Sequence, residues 1–161
     1  MRTITLEEHF ATPTFMEGPG QQLRDQARAI HSHPQVVAGI ARLIDQLCDL
    51  DQRRIADMDA AGIDMQILSL TSPGVEQLDG AEAVALARAV NDQLADAVRR
   101  HPNRFAGFAT LPTAAPDIAA DELERTIQEY GFKGAFHAAK TRSRPAHTSD
   151  EASAPDWRPP A

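Results

Sequence analysis

Two residue types that bind divalent cations stand near the start of this sequence, one residue apart. They are Glu7 and His9, in the run Thr3-Ile4-Thr5-Leu6-Glu7-Glu8-His9-Phe10. Residues 2–6 alternate polar and apolar, the period of a strand between two environments. Side chains two apart on a strand share a face. The sequence therefore predicts Thr3, Thr5, Glu7 and His9 on one face, and Ile4 and Leu6 on the other. A carboxylate and an imidazole side by side at a strand's C-terminal end suit a divalent metal, because each offers a lone pair from a fixed base. A Glu-x-His triplet also arises by chance, and taken alone it reads as a solvated strand end. Its position adds weight: (β/α)-barrel enzymes carry their chemistry at the C-terminal ends of the strands.

The other candidate groups read as structural. His31 and His33 flank Ser32 ahead of Pro34, where an exposed loop is the simpler reading than a pair of ligands. His101 precedes Pro102 and reads as a helix-end residue near the negative pole of the macrodipole. Cys48 lies among Leu43, Ile44, Leu47 and Leu50 and reads as a buried small hydrophobe. His137 and His147 fall in a segment without other ligand signals.

Bulk properties exclude several classes of function. The 161 residues, 42% hydrophobic and 24% charged, suffice for one domain with a core. A formal net charge of −7 argues against nucleic acid or an anionic membrane as a partner. Aromatic residues are only 5%, too few for base-stacking platforms. A single cysteine excludes an internal disulfide and fits a reducing compartment. No apolar run approaches membrane-spanning length, and the N-terminus lacks a signal-peptide core. A soluble, cytoplasmic protein is expected.

The elements that must position Glu7 and His9 alternate along the chain. Residues 10–33, with Pro13, Gly18, Pro19 and Gly20, read as a long irregular loop. Pro34 opens a helix whose stripe is Val37, Ile40, Ala41, Ile44, Leu47 and Cys48. A short helix from Asp51 ends at Gly62. A strand follows over 63–70, apolar at its end as in a parallel sheet. Asp79 and Glu82 have the spacing of a capping box. The helix they open runs to about Arg100 on a stripe of Leu86, Val90, Leu94 and Val98. A third strand is expected over 104–109, a helix over 121–130 with Leu123, Ile127 and Tyr130 on one face, and a fourth strand from Phe132 to Phe136. This order implies parallel strands joined by crossovers.

Beyond residue 136 the composition changes. Ala, Pro, Arg and Ser make up sixteen of the twenty-five residues 137–161, and Ile, Leu, Val, Met and Gly are absent. The sequence predicts an N-terminal unit over 1–136 and a disordered tail over 137–161, with the character of an out-of-frame reading of GC-rich coding sequence.

Several stretches together resemble the amidohydrolase-related decarboxylases, the group that includes γ-resorcylate and 2,3-dihydroxybenzoate decarboxylase and, more distantly, aminocarboxymuconate-semialdehyde decarboxylase. They are Leu6 to Phe10; Met58-Asp59-Ala60-Ala61-Gly62-Ile63-Asp64 running into Leu68-Ser69-Leu70-Thr71; His101 to Phe108; and Glu129 to Ala135. The resemblance implies a (β/α)8 TIM barrel with one divalent ion, zinc or manganese, at its C-terminal mouth. It implies Glu7 and His9 as the first two metal ligands, with a later His and Asp completing the site and no organic cofactor. The implied reaction is non-oxidative decarboxylation of a hydroxybenzoate-type aromatic carboxylate. A hydrolase of the same superfamily, or a non-catalytic half-barrel module, is the alternative. The motifs stop inside the fourth strand, so a partial barrel of about four parallel strands with outer helices is expected. The later ligands lie beyond those motifs, so the isolated chain is expected to be inactive. The completed barrel is expected to be a homo-oligomer.

Overall fold

The computed structural model describes residues 1–21, 25 and 33–136, and the expected tail over 137–161 lies outside them. Its framework is a parallel sheet in the order β1 (Ile4–Phe10), β2 (Met65–Leu70), β3 (Phe105–Gly107). The expected fourth strand is reduced to one parallel bridge between Ala109 and Ala135. It is flanked by hydrogen bonds from Lys133 N to Gly107 O (2.9 Å), Ala109 N to Gly134 O (2.8 Å) and Phe136 N to Ala109 O (3.2 Å). Four segments thus lie side by side, as the alternation of periods predicts.

Among the described residues, the sheet is accompanied by helices α1 (Pro13–Glu17), α2 (Pro34–Cys48), α3 (Gln52–Ala61), α4 (Gly80–Arg100) and α5 (Pro116–Tyr130). Leu86, Val90 and Leu94 of the α4 stripe are buried as expected, with Val90, Leu94 and the neighbouring Ala87 and Ala97 completely so, while Val98 is half-buried against the core. With Phe10, Leu68 and Phe105 the buried stripe forms the core. Cys48 is half-buried against that core. Gly62 and Gly131 end α3 and α5 at φ 70° and 68°, in the left-handed region where a Cβ is unfavourable.

Four expectations change. The presumed loop over 10–33 contains α1: Thr12 Oγ1 accepts from Phe15 N at 3.1 Å, Pro13 takes the first turn, and Phe15 and Met16 are buried. A cap and a permitted proline outweigh the nearby Gly-Pro-Gly. The Asp79 half of the expected capping box does not form: the Asp79 side chain makes no cap hydrogen bond, and its carbonyl accepts from Glu82 N and Ala83 N. Helix α5 begins at Pro116 rather than Asp121. Its buried face carries Ala119, Glu122 and Thr126, whereas Ile127 is 45% exposed. That face is polar because α4 supplies partners for it, described below.

The fourth change bears on the site. Thr5 pairs with Gln66, but Glu8 pairs with Leu68, so β1 has one residue more than β2 over this stretch. Such a bulge reverses the alternation of faces. In a parallel ladder, paired residues share a face. Gln66, Leu68 and Leu70 form the helix-facing side of β2, since Arg54 of α3 reaches Gln66 and the two leucines are in the core. Thr5, Glu8 and Phe10 therefore share that side, while Ile4 and His9 share the opposite, inner side with Met65 and Ser69. Thr5 and His9 do not share a face, contrary to the simple alternation. Continuing the Ile4–Met65 register without the extra residue would place His9 opposite Leu70, on the helix side. Glu7 lies in the bulged stretch, and the direction of its side chain lies outside what is described.

Candidate functional site

His9 stands at the C-terminal tip of β1, half-buried on the inner face. Its Nδ1 lies 3.2 Å from Oγ of Ser69, its in-register neighbour on β2. The ring meets Phe136 edge-on, with centroids 5.9 Å apart and planes at 63°. Three of the four parallel segments thus converge on this imidazole. Metal-binding histidines present one ring nitrogen to the ion and hydrogen-bond through the other. His9, with Nδ1 engaged by Ser69, fits that pattern through Nε2. Among the described residues, no group of three or more His, Cys, Asp or Glu side chains is placed to hold a metal ion.

The backbone of His9 is braced from the opposite side by Arg54 of α3. Its Nη2 donates to the carbonyls of His9 (3.1 Å) and Gln46 (3.1 Å), Nη1 to Gln66 Oε1 (3.2 Å), and Nε to the carbonyl of Asp49 (2.7 Å). One guanidinium joins β1, β2 and the C-terminal end of α2, where a cation also complements the helix dipole. Burial pushes the Arg54 pKa below its ordinary value, and the nearby carboxylates Glu8, Asp49 and Asp57 oppose that. Sequence reasoning missed Arg54.

A second polar cluster fixes the segment that leaves β3. Asn91, fully buried on α4, accepts from Thr110 N (2.8 Å) and donates to Thr110 O (3.0 Å). Its Nδ2 also donates to Glu122 Oε1 at 2.8 Å. The Glu122 carboxylate, 0% exposed, is gripped by Arg125 through two bonds of 2.6 and 2.9 Å, with Arg88 at 3.4 Å. Arg125 continues to Asp92 (2.9 Å) and to the Tyr130 hydroxyl, which itself donates to Asp92 (2.8 Å). Hydrogen bonding to Glu122 raises the Arg125 pKa well above its ordinary value, and burial raises that of Tyr130. The sequence hinted at this cluster only by placing Asn91 inside the aliphatic stripe of α4.

The remaining expected residues are structural where they are described. His33 is exposed and caps α2, its Nδ1 accepting from Gln35 N at 3.4 Å. His101 bonds Asp51 at 2.9 Å and stacks edge-on against Phe105. His31, His137 and His147 lie outside the described residues. No helix among the described residues is long and apolar enough to cross a membrane.

Comparison with known proteins agrees with this architecture. The amidohydrolase family model matches residues 29–159, past Ala135, where the motifs quoted above stop. The chain is 41% identical over 134 residues to a γ-resorcylate decarboxylase of Polaromonas sp., covering 83% of this chain and 37% of that one. It is 35% identical over 157 residues to the γ-resorcylate decarboxylase of Rhizobium radiobacter, covering 97% and 44%. The crystal structure of 5-carboxyvanillate decarboxylase from Novosphingobium aromaticivorans superposes with a TM-score of 0.76 at 37% identity, over 89% of this chain and 43% of that one. That enzyme was crystallised with manganese and 4-hydroxy-3-methoxy-5-nitrobenzoic acid. The chain spans less than half the length of each of these relatives. A family match across most of the sequence, carried by a parallel half-barrel of the same shape, makes this chain a member of the amidohydrolase family, corresponding to the N-terminal part of its decarboxylase branch.

Proposed function

We propose that this chain is the N-terminal part of a metal-dependent decarboxylase that removes carbon dioxide non-oxidatively from a hydroxybenzoate-type aromatic carboxylate. The observation that carries the reading is His9: an inner-face imidazole at a strand tip, with Nδ1 engaged by Ser69, in a sequence similar to named decarboxylases. His9 and Glu7 would hold a divalent ion, manganese by analogy with the crystallised relative. The ion, when bound, acts as a Lewis acid that orients the substrate's carboxylate and phenolic oxygen. The chain's own part is to fix His9: Arg54 holds its carbonyl, Ser69 its ring, and Phe136 covers one ring edge.

Two ligands rarely hold a metal where three or four protein ligands are usual. The isolated chain is therefore proposed to be inactive, with the remaining ligands supplied from outside it. Ile4 and Leu6, 48% and 61% exposed, leave apolar surface at β1 for the rest of a barrel to cover. A cytoplasmic location and a homo-oligomeric completed barrel belong to the same proposal.

Complementation tests it. The downstream half of a related decarboxylase is added in trans or by fusion, and carbon dioxide release from 2,6-dihydroxybenzoate is measured. Activity is expected with the wild-type chain and lost in Glu7→Ala and His9→Ala. Equal activity in His9→Ala removes His9 from the site. A folded, inactive product overturns the decarboxylase assignment.

A further inference from the structure

Among the described residues, Ser69 is the side chain that hydrogen-bonds the His9 ring. It is 1% exposed, stands at the tip of a strand otherwise ending in leucines, and pairs in register with His9. Neighbouring strands lie about 4.8 Å apart, so a hydroxyl on Cβ reaches across to a ring nitrogen, whereas a methyl group can only touch it. The bulge in β1 creates this pairing, because the unbroken register would set His9 against Leu70. Arg54 holds the peptide of the same residue, which leaves rotation of the imidazole as the remaining freedom at the site.

We propose that Ser69 is a positioning residue that sets the rotation of the His9 ring, so that Nε2 and not Nδ1 is the nitrogen offered to a cation. This deepens the ligand role proposed for His9 and rests on it. The hydroxyl of Ser69 fixes the orientation of the ring, and in the tautomer whose Nδ1–H donates to Ser69 Oγ, Nε2 keeps the free lone pair and is the nitrogen left for the metal. Phe136 supports the same orientation by packing edge-on, without itself choosing between the nitrogens.

The test is ring nitrogen-15 spectroscopy on the full chain, with the His9 signals identified by their loss in His9→Gln. The wild type is expected to show two distinct ring nitrogens at neutral-imidazole pH. Ser69→Ala is expected to move both toward the averaged values of free imidazole while the amide spectrum outside β1 and β2 stays unchanged. Ser69→Thr, which keeps the hydroxyl, restores the wild-type pattern. Zinc ion added to the wild type is expected to shift Nε2 more than Nδ1. Unchanged ring signals in Ser69→Ala, or a zinc response centred on Nδ1, overturn the proposal. Should Ser69→Ala not fold, the wild type decides alone: averaged, equivalent nitrogens overturn the hold, and distinct ones support it. If Ser69→Ala moves the ring signals but zinc moves neither nitrogen, the ligand reading of His9 fails while the hold by Ser69 stands.

Discussion

Replacing Asn91 by leucine keeps the branching and heavy-atom count of the side chain, at a somewhat larger volume, and removes its chemistry. The amide satisfies both main-chain groups of Thr110 and donates to Glu122. Asn91 is fully buried and Thr110 is 7% exposed, so water cannot readily replace the amide. Two orphaned backbone groups cost about 1–3 kcal/mol each. The Glu122 carboxylate loses one donor but keeps both bonds to Arg125, which adds about 1 kcal/mol. The near-isosteric side chain leaves no cavity and recovers part of the loss through apolar burial, so the net expectation is a destabilisation of about 3–5 kcal/mol. That is a large part of the roughly 5–15 kcal/mol typical of a folded domain. Urea denaturation of wild type and Asn91→Leu, followed by far-ultraviolet circular dichroism, gives the difference. Hydrogen exchange at the Thr110 amide gives its location. A loss below about 1 kcal/mol with unchanged Thr110 protection would refute the claim that this dry amide bridge anchors the end of β3.

Tyr130 is the sole tyrosine, so tyrosinate absorbance reports it alone. Its pKa is raised, first by burial and then by Asp92, above the ordinary value of about 10. The folded state thus holds the proton more tightly than the unfolded state. Its contribution to stability is present below about pH 10 and is lost as pH rises through the folded value, a loss that Tyr130→Phe should abolish. Gly107→Ala would bring a Cβ to 2.8 Å from the Phe132 ring and 2.9 Å from Leu94, so overpacking should cost about 1–3 kcal/mol in the same urea assay. Arg54→Lys keeps the charge but loses the fork that reaches His9, Gln46, Gln66 and Asp49 together. A destabilisation of about 2–4 kcal/mol is expected, accompanied by faster amide exchange around Ala11, and stability equal to wild type would remove Arg54 as the brace of this corner.

Sequence alone determined the alternation of elements, because periods of two and of three to four residues are local properties that survive without knowledge of partners. The stripe Leu86, Val90, Leu94 was legible for that reason, as were Gly62 and Gly131, whose left-handed caps follow from the absence of a Cβ. Glu7 and His9 were legible as a candidate pair by residue type. The face on which His9 lies was not, since it depends on the count of residues in β1 against that in β2, a quantity that exists only once the strands pair. Arg54 and Ser69 were invisible for the same reason: each works on His9 from more than forty positions away, and nothing in the residues beside them records that distance. The polar face of α5 shows the principle most plainly. A helix that buries Glu122 and exposes Ile127 contradicts its own hydrophobic pattern, and only the amide of Asn91 on a facing helix, together with Arg88 and Arg125, makes burial of that carboxylate favourable.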